Sequence, residues 1–164
     1  MSAADGPVLI AYDGSAAARE AVAEAAKLLG SRRLIVLTVW EAGLAYAAPA
    51  MPPDGMTMTP LVDPGVAHEV DRELHKHAER VAHDGATLAR SLGRDAEPLA
   101  VPDESDVPHT ILGVAEQRGA AAIVVGSRGL SGLRAALEGS TSSALLKHAP
   151  CPVLVVHAPE EHDG

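Results

Sequence analysis

Along the chain, continuous apolar runs alternate with stretches in which apolar residues recur at helical spacing. The runs cover 7–12 (PVLIAY), 34–39 (LIVLTV), 96–101, 121–125 and 153–156 (VLVV). Unbroken apolarity, rather than strict alternation, is the mark of a strand covered on both faces. Pro98 weakens the third run, because proline lacks the backbone donor that a central strand uses. Between the runs, 16–29 places Ala18, Val22, Ala25, Ala26 and Leu29 on one side, with Gly30 as a C-cap. The spacing over 66–92 predicts a long helix with Val70, Leu74, Ala78, Val81, Leu88 and Leu92 along one stripe. Two further helices are predicted over 107–118, with Ile111, Leu112, Val114 and Ala115 inward, and over 140–148.

Strands alternating with helices predict an α/β fold: an open five-stranded parallel sheet with helices on both faces, Rossmann-like in arrangement. A chain of 164 residues suits a single domain over 1–164. Two segments fall outside the pattern. The stretch 41–65, rich in Pro, Met and Gly, predicts a long loop, and the acidic 159–164 a frayed tail. In such sheets ligands bind beyond the carboxyl ends of the strands, where the strand order reverses. Two stretches fall there: Asp13-Gly14-Ser15 after the first strand and a glycine-rich stretch after the fourth.

Composition narrows the chemistry. With no Phe, one Trp and two Tyr, the core must be Ala, Val, Leu and Ile, and the aromatic platforms that stack single-stranded bases are missing. A net charge of −9 and a pI near 5.2 argue against duplex DNA, whose phosphates call for Lys and Arg. No apolar run approaches the ~20 residues of a membrane-spanning helix, and MSAAD carries no basic or apolar leader. The single cysteine, Cys151, forms no internal disulfide, so a cytoplasmic protein is expected.

The glycine-rich stretch reads GSRGLSGLRAALEGSTSS from Gly126 to Ser143, and no lysine follows its glycines as it would in a P-loop. Turn chemistry and an N-cap at Ser140 account for any one of these residues taken alone. Together, glycine at a strand end and hydroxyls opening a helix make an anion site of backbone N–H groups. Gly126 lacks a Cβ, which would let a ligand approach the backbone.

The combined spacing, Gly-x2-Gly-x9-Gly-Ser at Gly126, Gly129, Gly139 and Ser140, resembles the nucleotide motif of the universal stress protein family. YDGS after the first strand, the long middle helix and IVVGSRGLSGLRAALEGSTSSALLKHAPCPVLVV resemble that family from end to end. The resemblance implies a five-stranded parallel fold of the adenine nucleotide alpha hydrolase-like type, a homodimer through the last strand, and ATP as ligand. It implies Asp13 on the ribose and Mg2+ side, Ala11, Val39 and Val125 around adenine, and Gly126, Arg128, Gly129, Gly139, Ser140, Thr141 and Ser142 at the phosphates. The chain departs from the family after strand three, where Val101-Pro102-Asp103-Glu104 replaces a frequent glycine and puts two carboxylates on the rim. Arg128 and Arg134 are the cations inside the motif.

Phosphoryl transfer needs a positioned nucleophile, a metal and cationic stabilisation, and no general base is evident. The expected function is therefore a nucleotide-dependent stress-response or regulatory binding module with at most slow hydrolysis. A true ATPase or adenylyl-transferring enzyme, and an interaction protein that binds no nucleotide, are the alternatives. Its partners are then an adenine nucleotide, a second copy and an unidentified protein, with no nucleic acid or membrane.

Asp71, His75, Glu79 and His83 fall at i+4 steps on one helical face. Such donors are able to share Zn2+, but a solvated polar face, joined by His68, is the better expectation. No partner is evident for His109, His148 or His157. Asp13-Gly14-Ser15 caps the following helix rather than forming a nucleophile and base. Cys151 is expected to be a small buried residue, and Met51, Met56 and Met58 to lie in a disordered loop.

Overall fold

The computed structural model describes residues 5–43, 63–103, 105–127 and 140–157, with the backbone alone described at 140–143. The expected 41–65 loop lies mainly outside these residues, as do the tail and the three loop methionines. The elements run β1 (Val8–Ala11), α1 (Ala16–Leu28), β2 (Leu34–Trp40), α2 (Pro64–Ser91), β3 (Ala96–Pro102), α3 (Val107–Gln117), β4 (Ala122–Gly126), α4 (Ser140–His148) and β5 (Val153–Val156). Five parallel strands pair in the order β3-β2-β1-β4-β5. Pro98 is accommodated because β3 is an edge strand, where a missing donor leaves no ladder bond unmade.

Helices α1 and α2 cover one face of the sheet, α3 and α4 the other. Val8, Ile10, Val36 and Val124 point to the first face, against Ala18, Ala21, Ala25, Ala86 and Ala89. Leu9, Leu37, Ile123 and Val125 point to the second, against Ile111, Ala115 and Leu145. Short runs of apolar residues thus serve both faces at once, which is why the strands read as continuous.

Local signals set the helix ends. Ser15 caps α1 by accepting from Ala18 N at 3.1 Å, and Gly30 follows its end at φ +65°. Helix α2 begins before the periodic stripe does, because Asp63 caps it and Pro64 suits the first turn.

The packing face of α2 keeps the middle of the predicted stripe, with Ala78 buried and Val81 and Leu88 packed against the core, and departs from it at the two ends. Val70 and Leu92 are exposed, while Ala78, Ala82, Gly85, Ala86 and Ala89 are buried. The reason is close approach: a Cβ on Gly85 would come within 2.8 Å of Tyr12 and 2.7 Å of Val36. Small residues let the helix axis sit low on the strands, and Val70 and Leu92 at the ends of the stripe stay outside.

Helix α2 has 28 residues, about 42 Å of helix at 1.5 Å per residue, whereas its seven-residue neighbours β2 and β3 extend about 23 Å. Its last turns lie by the start of β3, where Arg90 donates to Ala96 O. Its amino-terminal turns therefore rise past the carboxyl end of the sheet. Val81 stands at the level of Gly14.

The opposite end of the sheet is closed by arginines. Arg94 donates to the carbonyls of Ala26 and Arg32, and Glu97 lies between Arg33 and Arg118. Cys151 is half-buried beside the second face rather than fully enclosed, and burial pushes its thiol pKa up. Among the described residues, no helix is long and apolar enough to cross a membrane.

Candidate functional site

The strand order reverses between β1 and β4, so helices leave these two neighbours toward opposite faces, and in sheets of this kind ligands bind at the carboxyl ends of such a pair. Two bonds pin the end of β1. Tyr12 N donates to Leu37 O at 2.8 Å, and the buried Thr38 hydroxyl donates to Tyr12 O at 2.9 Å. The chain then turns sharply through Gly14 at φ +81°, which favours glycine. Asp13 Oδ1 accepts from Ser15 N at 2.9 Å, and Ser15 caps α1. Asp13 is thus held rigidly at the strand end, half-buried, as a carboxylate presented by a cap.

Ala11, Val39 and Val125 lie together on the sheet face that α3 and α4 cover: Ala11 and Val125 are buried and Val39 is half-buried. They form a continuous apolar wall across β2, β1 and β4. Gly126 has a packing role of its own. A Cβ there would lie 2.6 Å from Ala17 O and 2.7 Å from Ala17 C. The first turn of α1 fills the space, so the glycine allows helix-to-strand contact rather than ligand approach on that side.

Arg128, Gly129, Gly139 and Arg134 lie outside the described residues. Ser140, Thr141 and Ser142 form the first turn of α4, and their side chains lie outside the description as well.

The rim after strand three is described in part. Asp103 N donates to Trp40 O at 2.9 Å, and its Oδ1 accepts from Ala42 N at 3.1 Å. One of its oxygens therefore ties the chain that leaves β2. A cleft of about 420 Å3 opens here, bounded by Glu41, Asp103, Asp106 and His109, with Ala144 of α4 as its far wall.

His109 has a partner that sequence reasoning missed. Asp106 caps α3, accepting from His109 N at 2.8 Å, and also holds the His109 ring Nδ1 at 2.7 Å. The backbone N–H of His109 holds the Asp106 carboxyl below its ordinary value, and the imidazole adds to that shift. The signal was present, since an Asp three residues before a His at a helix start is a cap spacing.

The row Asp71, His75, Glu79 and His83 is not simply a solvated face. Asp71 accepts from Gly43 N at 3.0 Å, and His75 stacks on Trp40. Glu79 and His83 line a larger cleft, about 690 Å3, between α2 and the β3 edge. Among the described residues, no three His, Cys, Asp or Glu side chains converge as metal ligands.

A doubly wound parallel sheet, with its switch point between β1 and β4, defines the class of protein. The universal stress protein family profile matches residues 6–157, and the chain belongs to that family. It is 30% identical over 151 residues to the universal stress protein YxiE of Bacillus subtilis (strain 168), covering 91% of this chain and 97% of that one. Among solved structures, it resembles a family member from Burkholderia pseudomallei (28% identity, TM-score 0.65, covering 95% and 98%). It also resembles UspA from Lactobacillus plantarum (25% identity, TM-score 0.69, covering 93% and 97%).

More distant relatives share the fold and were solved with nucleotides. One from Arabidopsis thaliana holds AMP (16%, TM-score 0.62, covering 94% and 93%) and one from Archaeoglobus fulgidus dAMP (20%, 0.60, covering 92% and 97%). A third is in complex with cAMP (20%, 0.60, covering 94% and 98%).

Proposed function

We propose that this chain is an adenine-nucleotide-binding regulatory protein of the cytoplasm, with ATP and Mg2+ as its ligand and at most slow hydrolysis. The observation that supports this reading is that Asp13 follows the carboxyl end of β1, while Ala11, Val39 and Val125 share one face of the three strands that end there. The wall suits a purine, the carboxylate suits ribose hydroxyls or a metal-bound water, and the amino end of α4 suits phosphates. The relatives solved with AMP, dAMP and cAMP support the adenine part of this reading.

The test is a thermal and calorimetric titration with ATP, AMP and cAMP, with and without Mg2+. At a hundred times its Kd, a ligand stabilises the fold by about 2.7 kcal/mol. Asp13→Ala should weaken ATP by about 1–3 kcal/mol, the cost of losing a charged hydrogen-bond partner. Gly129→Val should block phosphate approach and leave the fold intact. No stabilisation by any adenine nucleotide would overturn the proposal.

A hydrolytic reading has one observation of its own. His109, oriented by Asp106 on a cleft shared with α4, is a candidate proton acceptor. ADP release by the wild type, lost in His109→Gln with ATP affinity unchanged, would establish it.

Pairing of β5 with a second copy completes the proposal. β5 is an edge strand of Val153–Val156, without the proline and glutamate that blunt the β3 edge. Val155→Pro removes one backbone donor and should shift the sedimenting mass toward the monomer. A wild type that stays monomeric at tens of micromolar would exclude the dimer.

A further inference from the structure

The two edges of the sheet, β3 and β5, differ in which residues face outward. In a parallel ladder the N–H and C=O of one residue serve the same neighbour, and successive residues alternate between neighbours. Asp95 O accepts from Leu34 N and Asp103 N donates to Trp40 O, both at 2.9 Å. Glu97, Leu99 and Val101 therefore bond β2, while Ala96, Pro98, Ala100 and Pro102 face away from the sheet. Arg90, in the last turn of α2, agrees with this parity: its Nε and one terminal nitrogen donate to Ala96 O at 3.1 and 2.8 Å.

The outward row of β3 is thus disabled position by position. Pro98 and Pro102 have no donor, and each ring stands where a neighbouring strand would dock. The carbonyl of Ala96 is already taken by Arg90. Among the described residues, Ala100 alone keeps both groups of this row open. It lines the cleft of about 690 Å3 whose helix wall carries Lys76, Arg80, His83 and Asp84. A strand entering there would strip water from those side chains in exchange for one residue's pair of bonds.

β5 has the opposite parity. Pro152 O accepts from Ile123 N at 2.9 Å and Val156 O from Ser127 N at 2.7 Å. Leu154 faces β4 in the same way, so Val153 and Val155 face outward. Both keep their donors, and Pro152 falls on the inward set, where it blocks nothing at the edge.

We propose that Pro98, Pro102 and Arg90 make β3 a terminator of sheet extension, which confines edge pairing of this chain to β5. The partner is a second copy, as in the β5 pairing proposed above, on which this inference rests; the terminator sets the limit of that assembly. A two-fold β5 contact uses one edge of each chain and leaves both β3 edges outside. Were those edges competent, each dimer would join the next and growth would not close. With them disabled, assembly ends at two copies.

Sedimentation equilibrium and amide exchange test this. Pro98→Val/Pro102→Thr restores both donors with residues that favour strands, and circular dichroism checks its fold. Between about 10 and 300 µM, mass action should carry this variant past the dimer mass, whereas the wild type should stop there. In a Val155→Pro background, monomeric by itself, the same two changes should create a dimer through β3. Adding Arg90→Ala should strengthen both effects. The wild type supplies a measurement that needs no variant. Over the same range Ala100 N–H exchange should stay within about twofold, while Val155 N–H slows about tenfold or more. A monomeric wild type with Val155 unslowed overturns the β5 reading alone, and the opened β3 edge then decides the terminator by itself. Masses unchanged by opening β3 in both backgrounds overturn the terminator. So does a wild type that grows beyond two copies or protects Ala100 as its concentration rises.

Discussion

The two faces of the sheet are packed by opposite means. On the side of α1 and α2, alanine and glycine dominate the helix surfaces, and backbone approaches backbone: Gly85 sits on Tyr12 and Val36, and Gly126 on Ala17. On the side of α3 and α4, branched side chains fill the space, with Leu9, Leu37, Ile111, Ile123 and Leu145 fully or almost fully enclosed. The first face is made tight by what its residues lack, the second by what they carry. Adding atoms should therefore harm the first, and removing atoms the second. The contrast also places the candidate site, since the apolar wall and the Asp106–His109 cleft lie toward the second face while Asp13 is held by the cap of a helix on the first.

Ile111→Ala should give the largest effect. Its side chain is fully buried, and truncation leaves a cavity costing about 2–5 kcal/mol, read by chemical denaturation. A cost under about 1 kcal/mol would mean this face collapses as readily as a loosely packed one.

Gly85→Val tests the other face. The added atoms must displace Tyr12 or Val36, with a cost of about 1–3 kcal/mol and a shift of α2. A neutral result would break the comparison, because it would show room where the geometry has none.

Gly126→Ala sharpens it at the site. Its Cβ meets backbone atoms of Ala17, which cannot rotate away as a side-chain tip would. Stability should fall by about 1–3 kcal/mol in the absence of any ligand. A stable Gly126→Ala protein with altered nucleotide affinity alone would return this glycine to the ligand side.

The smallest effect is expected at the cleft. Asp106→Ala removes the cap of α3 and should cost about 1 kcal/mol at neutral pH. The folded-state pKa of Asp106 is depressed, so its contribution is present above the ordinary carboxylate value of 3.8 and is lost as the pH falls through the folded value. Denaturation curves of wild type and variant should therefore converge in acid.

Much of the fold was legible because its signals are local. Apolar runs marked all five strands, and the caps at Ser15 and Gly30 and the Asp13-Gly14-Ser15 turn follow from neighbouring residues alone. The family, too, was carried by spacing within short stretches. The predicted stripe of α2 holds at Ala78, Val81 and Leu88, but it omits the small residues that sit deepest, for a physical reason. A hydrophobic stripe records which residues avoid water, whereas the contact was decided by how near the helix comes to the sheet. That distance depends on small residues at Gly85, Ala86 and Ala89 meeting Tyr12 and Val36 from distant parts of the chain.

The site divides the same way. The order of residues determined that Asp13 and Gly126 end strands and that the strands are parallel. Only the tertiary structure decided that these two strands are neighbours, that α1 occupies the space beside Gly126, and that His75 covers Trp40. Each of these is a meeting of elements far apart in the chain, set by packing and strand order, and periodicity along one segment carries no record of it.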